Sequence, residues 1–201
     1  MSEVLQQLNR DMAAIVEHVR PSLVQLRNGQ RGMGAGTVWH ADGLIVTNAH
    51  VVRQRAPQAT LSDGRTVSTQ VVAMDTEHDL AALSMAATGL TAVTLAEPDT
   101  LQPGHWVLAL GHPWGGAGAS TAGIVIGIGA SPERPQRQGE WIHVDLHLRP
   151  GYSGGPLVDG HGRVVGINTM IAGPNVGLAV PLAVVQGFVR QVRARTCGEG
   201  R

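Results

Sequence analysis

The chain has 201 residues, of which 15 are basic and 15 acidic, giving zero formal net charge and a pI of about 7.1. No basic stripe is available to neutralise phosphates, which argues against nucleic acid as a partner. Hydrophobic residues make up 43%, charged residues 15% and aromatics 3%, with 27 glycines. That excludes disorder and suits many short strands around a full core.

Every basic residue is arginine, so mechanisms using a lysine base or Schiff base are closed. Cys197 is the single cysteine, and no internal disulfide can form. The N-terminus shows no continuous apolar run of the signal-peptide kind, and no stretch approaches the ~20 apolar residues of a membrane span. The expectation is a soluble, cytoplasmic protein with no membrane partner.

In chain order, Val4, Leu5, Leu8, Met12, Ile15, Val16 and Val19 recur at helical spacing until Pro21. They predict an amphipathic helix over 3–19, packed on the body. Period-two segments then predict strands at 22–27, 35–40, 43–47, 58–62, 66–74 and 80–84. Residues 91–101 read as a linker ending at Pro103-Gly104. A second strand-rich half follows at 105–110, 121–128, 140–146, 156–158, 163–170 and 176–180, with an exposed polar loop over 131–139. The run 181–195 returns to helical spacing through Leu182, Val185, Phe188, Val189 and Val192.

Two halves of about six strands, flanked by helices and without βαβ alternation, predict an all-β fold of two six-stranded antiparallel β-barrels. The expected division is a helix over 1–20, a barrel lobe over 21–104, and a second lobe with the C-terminal helix over 105–201.

Within the second half, Arg149-Pro150-Gly151-Tyr152-Ser153-Gly154-Gly155-Pro156 holds a serine among three glycines. Little side-chain bulk surrounds it and backbone N–H groups are accessible, as an acyl-transfer nucleophile requires. A glycine-rich turn with an ordinary surface serine has the same composition. Gly151-Tyr152-Ser153-Gly154-Gly155 also satisfies the G-x-S-x-G nucleophile elbow. That elbow needs a helix directly after the serine, which Gly154-Gly155-Pro156 prevents, and acid and histidine partners after it, where only Asp159, His161 and Glu199 lie.

Partners before the serine serve better. His50 follows the apolar strand Leu44-Ile45-Val46, and Asp79 directly precedes the apolar run Leu80-Ala81-Ala82-Leu83. Asp79 is the carboxylate expected to be drawn inward. Asp75 is its rival, in the polar turn Asp75-Thr76-Glu77. His, Asp and Ser in that order make a base, an orienting acid and a nucleophile.

These segments resemble the high-temperature-requirement (HtrA/Deg) branch of the trypsin-like serine proteases. The resemblance is carried by Thr47-Asn48-Ala49-His50-Val51-Val52, Asp79-Leu80-Ala81-Ala82-Leu83 and Gly151-Tyr152-Ser153-Gly154-Gly155-Pro156-Leu157. Further matches are Gly34–Gly43, Leu110-Gly111-His112-Pro113-Trp114-Gly115, Thr121-Ala122-Gly123-Ile124-Val125 and Val176-Gly177-Leu178-Ala179-Val180-Pro181. The resemblance implies Ser153 as nucleophile, His50 as general base and then acid, and Asp79 as the orienting group. It also implies an oxyanion hole from the N–H groups of Gly151 and Ser153. Val176, Gly177 and Leu178, with the segment before Gly151, would line a pocket for small or medium aliphatic residues. No metal and no organic cofactor is expected.

The chain departs from that pattern in four respects. Tyr152, the only tyrosine, stands where the family has asparagine. It reads as drift in an exposed loop or as a ring that narrows the acyl pocket. No PDZ-type domain follows residue 190, so peptide-sensing regulation is expected to be absent or to come from another chain. No aromatic before Trp39 anchors the family's trimer, so a monomer is favoured and a trimer is the alternative. His143-Val144-Asp145-Leu146-His147 alternates possible metal ligands along one strand, but a flat strand rarely supplies a tetrahedral cage. His147 facing the pocket is the preferred reading. The expected function is a serine endopeptidase acting on unfolded or exposed polypeptide segments, of the kind that serves protein quality control. A catalytically weak protein-binding module is the alternative, and an esterase ranks third.

Overall fold

The computed structural model describes residues 3–28, 32–52, 57–97, 100–115, 118–131, 139–173 and 175–198. The loop expected over 131–139 falls mostly outside them. Six strands, β1 (Leu23–Asn28), β2 (Gly32–Val38), β3 (Leu44–Thr47), β4 (Gln58–Thr60), β5 (Thr66–Asp75) and β6 (Leu80–Met85), close into one antiparallel barrel in the order β1-β2-β3-β6-β5-β4. Six more, β7 (Trp106–Gly111), β8 (Ala119–Gly129), β9 (Trp141–Asp145), β10 (Pro156–Asp159), β11 (Val164–Ile171) and β12 (Val176–Pro181), close a second barrel in the order β10-β11-β12-β9-β8-β7. The two-barrel architecture is therefore the one expected from the strand count.

Alternation fills the barrels. Val24, Leu26, Ile45, Ala81 and Leu83 form the first interior. Leu108, Leu110, Val144, Leu157, Ile167 and Val180 lie in the second. At roughly 25 cal/mol per Å² of apolar surface removed from water, such side chains supply the main driving force for closure. Closure also removes the open edges that would invite pairing with other chains.

The segment between the barrels is hydrogen-bonded to both. Val93 N donates to Val38 O at 3.0 Å, Ala96 N to Val164 O at 3.0 Å, and Val164 N to Thr94 O at 2.8 Å. The C-terminal helix α3 (Leu182–Gly198) buries Val185, Phe188, Val189 and Val192, packing on β11 and β12 and reaching β5 and β6. Arg193 meets Asp42 of the first barrel at 3.4 Å.

Among the described residues, the N-terminal helix α1 (Glu3–Val19) packs on the body through its last turns. Ile15, His18 and Val19 lie against Gly162, whereas Val4, Leu5 and Leu8 remain exposed. Its apolar stripe thus outruns the barrel surface available to it, and the helix expected over 3–19 packs on the body through Met12, Ile15, Val16 and Val19. A one-turn helix α2 (Ala49–Val52) is absent from the sequence reading, because four residues carry no periodic signal.

Candidate active site

His50 sits on α2, immediately after β3. Asn48, fully buried, donates Nδ2–H to Asp79 O at 2.9 Å, and Ala49 N donates to the same oxygen at 3.1 Å. These two bonds pin the start of α2 to the residue that precedes β6. Asp79 itself takes φ of 58°, a left-handed conformation that a short acidic side chain tolerates better than most.

The Asp79 carboxylate is 2% exposed and points at the histidine. Oδ1 accepts the His50 backbone N–H at 3.1 Å, and Oδ2 lies 2.7 Å from His50 Nδ1. Oδ2 also accepts the Thr169 hydroxyl at 2.6 Å. Burial alone would raise its pKa. The His50 hydrogen bond and charge, the Thr169 hydroxyl and the His50 amide outweigh burial and hold it below the ordinary carboxylate range. An ionised carboxylate at Nδ1 places the imidazole proton there and leaves Nε2 as the acceptor. Asp75 is not brought to His50; it lies 2.7 Å from His78 Nδ1 and accepts the amides of Glu77 and His78.

Ser153 sits in a turn wedged between the barrels. Ala35 N on β2 donates to Ser153 O at 2.8 Å, and the buried Thr37 hydroxyl donates to Gly154 O at 3.1 Å. Gly154 has φ of 85°, and a Cβ there would collide with Ala35 O and the Thr47 hydroxyl. Gly151, at φ 108°, lies so close to the backbone of His112 that a Cβ would come within 2.5 Å of its oxygen. His112 N donates to Gly151 O at 2.8 Å. Among the described residues, neither Gly151 N nor Ser153 N donates to a protein acceptor. Two free amides beside a serine hydroxyl are the donors an oxyanion needs.

His50 and Ser153 line one cleft of about 340 Å³. The Ser153 hydroxyl donates to Thr169 O at 2.6 Å, and among the described residues no hydrogen bond joins it to His50. Thr169 therefore contacts both outer members of the constellation, Asp79 through its side chain and Ser153 through its carbonyl.

Of the residues expected to bind substrate, Tyr152 lines the cleft but is only 5% exposed, its ring packed against Gly111. The exposed-loop reading of that position gives way to a buried one. His147 is exposed, with Nδ1 3.0 Å from Asn175 Oδ1. Val176, Gly177 and Leu178 lie on β12, paired with β9, and stand behind the cleft wall. Leu148 lies across Gly177, whose hypothetical Cβ would be 2.9 Å from Leu148 Cδ1. The lining includes Leu148 and Arg149, from the expected segment before Gly151, and also Thr169, Met170 and Ile171. The last three belong to the end of β11, at and beyond a register shift between Asn168 and Met170. Among the described residues no three His, Cys, Asp or Glu side chains converge as a metal site, His143, Asp145 and His147 included.

The trypsin-like peptidase domain family matches residues 34–167. A protein named serine protease HhoB from Synechocystis sp. is 36% identical over 169 residues, covering 81% of this chain and 41% of that protein. A protein from Halomonas elongata, whose name describes a DegP-like periplasmic serine endoprotease, is 37% identical over 171 residues, covering 82% and 36% respectively. The mitochondrial serine protease HTRA2 of Drosophila grimshawi is 36% identical over 168 residues, covering 81% and 39%. The chain thus spans about two fifths of the length of these relatives. Among solved structures, the HtrA-type protease AlgW with a tripeptide superposes with a TM-score of 0.83 at 30% identity, over 90% of this chain and 62% of that one. AlgW with a decapeptide gives a TM-score of 0.83 at 26% identity, over 90% and 67%.

The compartments in these names, periplasm and mitochondrion, overturn the cytoplasmic location expected from the sequence. A lack of disulfides is compatible with an oxidising compartment and did not discriminate. No helix among the described residues is long and apolar enough to cross a membrane.

Proposed function

The chain belongs to the trypsin-like peptidase domain family, among its HtrA-type members, and we propose that it is a serine endopeptidase acting on unfolded or exposed polypeptide segments. The observation that carries this reading is the buried, ionised Asp79 holding His50 at the cleft that contains Ser153. Lobes 21–104 and 105–201 act as one catalytic unit, with the chemistry between them. The relatives' compartments support a working location outside the cytoplasm.

In the proposed cycle the Ser153 hydroxyl leaves Thr169 O and turns to His50 Nε2. His50 takes its proton as Oγ attacks the scissile carbonyl, and Asp79 stabilises the imidazolium. Gly151 N and Ser153 N receive the oxyanion, each worth about 3–4 kcal/mol in the transition state. His50 returns the proton to the departing amine, and water then resolves the acyl-enzyme by the same steps. The preference for a small or medium aliphatic side chain rests on the resemblance, and the apolar Leu148 and Ile171 of the cleft lining support it. No step requires a metal or cofactor.

The alternative, a catalytically weak binding module, draws on the hydroxyl's bond to Thr169. A fluorophosphonate probe decides between them. It should label the native protein and spare Ser153→Ala; an unlabelled native protein, with or without added peptide, would sink the enzyme. A monomer is the favoured assembly. Exposed Val4, Leu5 and Leu8 are what a trimer would have to cover, and sedimentation distinguishes the two.

A further inference from the structure

Beside the catalytic constellation, the cleft carries a feature that the chemistry above leaves unused. Trp114 is 76% exposed and sits at φ 56°, between buried Pro113 and Gly115 at φ 75°. A bulky aromatic in left-handed backbone is strained, and an indole in water forgoes the burial that a tryptophan ordinarily finds. The Arg149 guanidinium lies over that ring, 5.1 Å from its centroid. Arg149 lines the cleft and stands two residues before Gly151. Among the described residues it is the only permanently charged one in the lining, and no carboxylate pairs with it. A guanidinium stacked on an indole has lost much of its rotamer freedom while its N–H edge stays available, the arrangement that binds a carboxylate at least entropic cost. Exposed Trp and Arg together are also the residue types that dominate binding hot spots.

We propose that Arg149, backed by Trp114, is a specificity subsite that takes a carboxylate of the bound peptide close to the scissile bond. The inference rests on the peptidase reading and adds to it a preference for acidic substrates. The carboxylate can come from an Asp or Glu side chain or from a free C-terminus.

The test uses peptides in which a single Glu or Gln is walked through four positions on either side of one cleavable bond, each with a free or amidated C-terminus. The native protein should favour Glu over Gln at one position by about three- to tenfold in kcat/KM, and added salt should shrink the ratio. The preference should vanish in Arg149→Gln, reverse to favour Gln in Arg149→Glu, and weaken in Trp114→Ala, chiefly through KM. Thermal melts show that each variant is folded. A preference that follows the free C-terminus instead of the side chain assigns the carboxylate to the chain end. Equal turnover of Glu and Gln at every position and with either terminus, or a preference that survives Arg149→Gln, overturns the proposal. The same peptides are titrated by fluorescence anisotropy into Ser153→Ala with and without Arg149→Gln. If the native protein cleaves nothing, the peptidase reading falls, and tighter binding of the carboxylate peptide only with Arg149 present still supports the subsite. Equal binding there sinks it.

Discussion

Ser153 gives its hydroxyl to the Thr169 carbonyl at 2.6 Å, while the Thr169 hydroxyl holds Asp79 at 2.6 Å. One residue therefore restrains the nucleophile through its backbone and the orienting acid through its side chain. Replacing Thr169 by valine keeps the carbonyl and removes only the bond to Asp79. A hydrogen bond to a charged group is worth about 1.5–3 kcal/mol, so the labelling rate with a fluorophosphonate should fall roughly ten- to a hundredfold. Thr169→Ser should recover most of it. A valine variant that labels at the native rate would remove Thr169 from the positioning of Asp79.

The fold was legible because each barrel strand is short, apolar and punctuated by turn residues. The two-barrel count needed no contact information. His50 and Asp79 were legible as candidates because each lies against a strongly apolar strand, and Ser153 because glycines surround it; their roles came from the family resemblance. Of the pocket wall, only the segment before Gly151 was legible. Thr169, Met170 and Ile171 sit at and beyond a bulge in β11, and a shift of register changes which side chains face the cleft without leaving a trace in hydrophobic pattern. The Trp114–Arg149 stack joins residues 35 positions apart through an exposed loop, where periodicity says nothing.

The nucleophile turn should respond to changes in the other barrel. Thr37 reaches across from β2 to Gly154 O at 3.1 Å and is fully buried. Thr37→Val leaves that bond unmade at nearly constant volume and should cost about 1 kcal/mol of stability. Because the turn then loses a support beside Ser153, kcat should fall several-fold with KM little changed. Gly154→Ala is a harsher case. Its Cβ would meet backbone at Ala35 and the Thr47 hydroxyl at a positive φ, so little or no folded protein should be recovered. A stable, active Gly154→Ala protein would contradict the interdomain wedge.

Acid stability should carry the signature of Asp79. Unfolded, such a carboxylate protonates near 3.8; folded, burial raises that value, but His50 and Thr169 together bring it lower. The stabilisation is therefore fully present above the unfolded value and is lost as pH falls through the lower folded one. Asp75, held down by His78, and Asp159, held down by Arg163, act in the same direction against their own burial. Thermal midpoints measured from pH 6 to pH 2 should drop at the acid end. The drop should be shallower in Asp79→Asn, whatever its starting stability. Equal slopes would mean that the His50–Asp79 pair is not formed in the folded protein.

Tyr152 supplies the last prediction, because it occupies the position beside the nucleophile where the resemblance implies asparagine. The ring is 5% exposed and packs on Gly111, where a Cβ would come within 2.9 Å of Tyr152 Cδ1 and 2.7 Å of Gly151 O. Burial raises the phenol pKa and the Arg149 charge only partly offsets it, so the side chain stays neutral and acts by shape. Tyr152→Ala should open a cavity costing about 3–4 kcal/mol. It should also slacken the segment that presents Gly151 N, lowering kcat more than it raises KM. Tyr152→Phe keeps the ring and should stay within about 1 kcal/mol of native stability with near-native turnover. The paired measurement is a denaturant melt and a kcat/KM for each variant. If Tyr152→Ala instead sped cleavage and left stability unchanged, the ring would be an obstruction over the acyl pocket and not a strut beneath it.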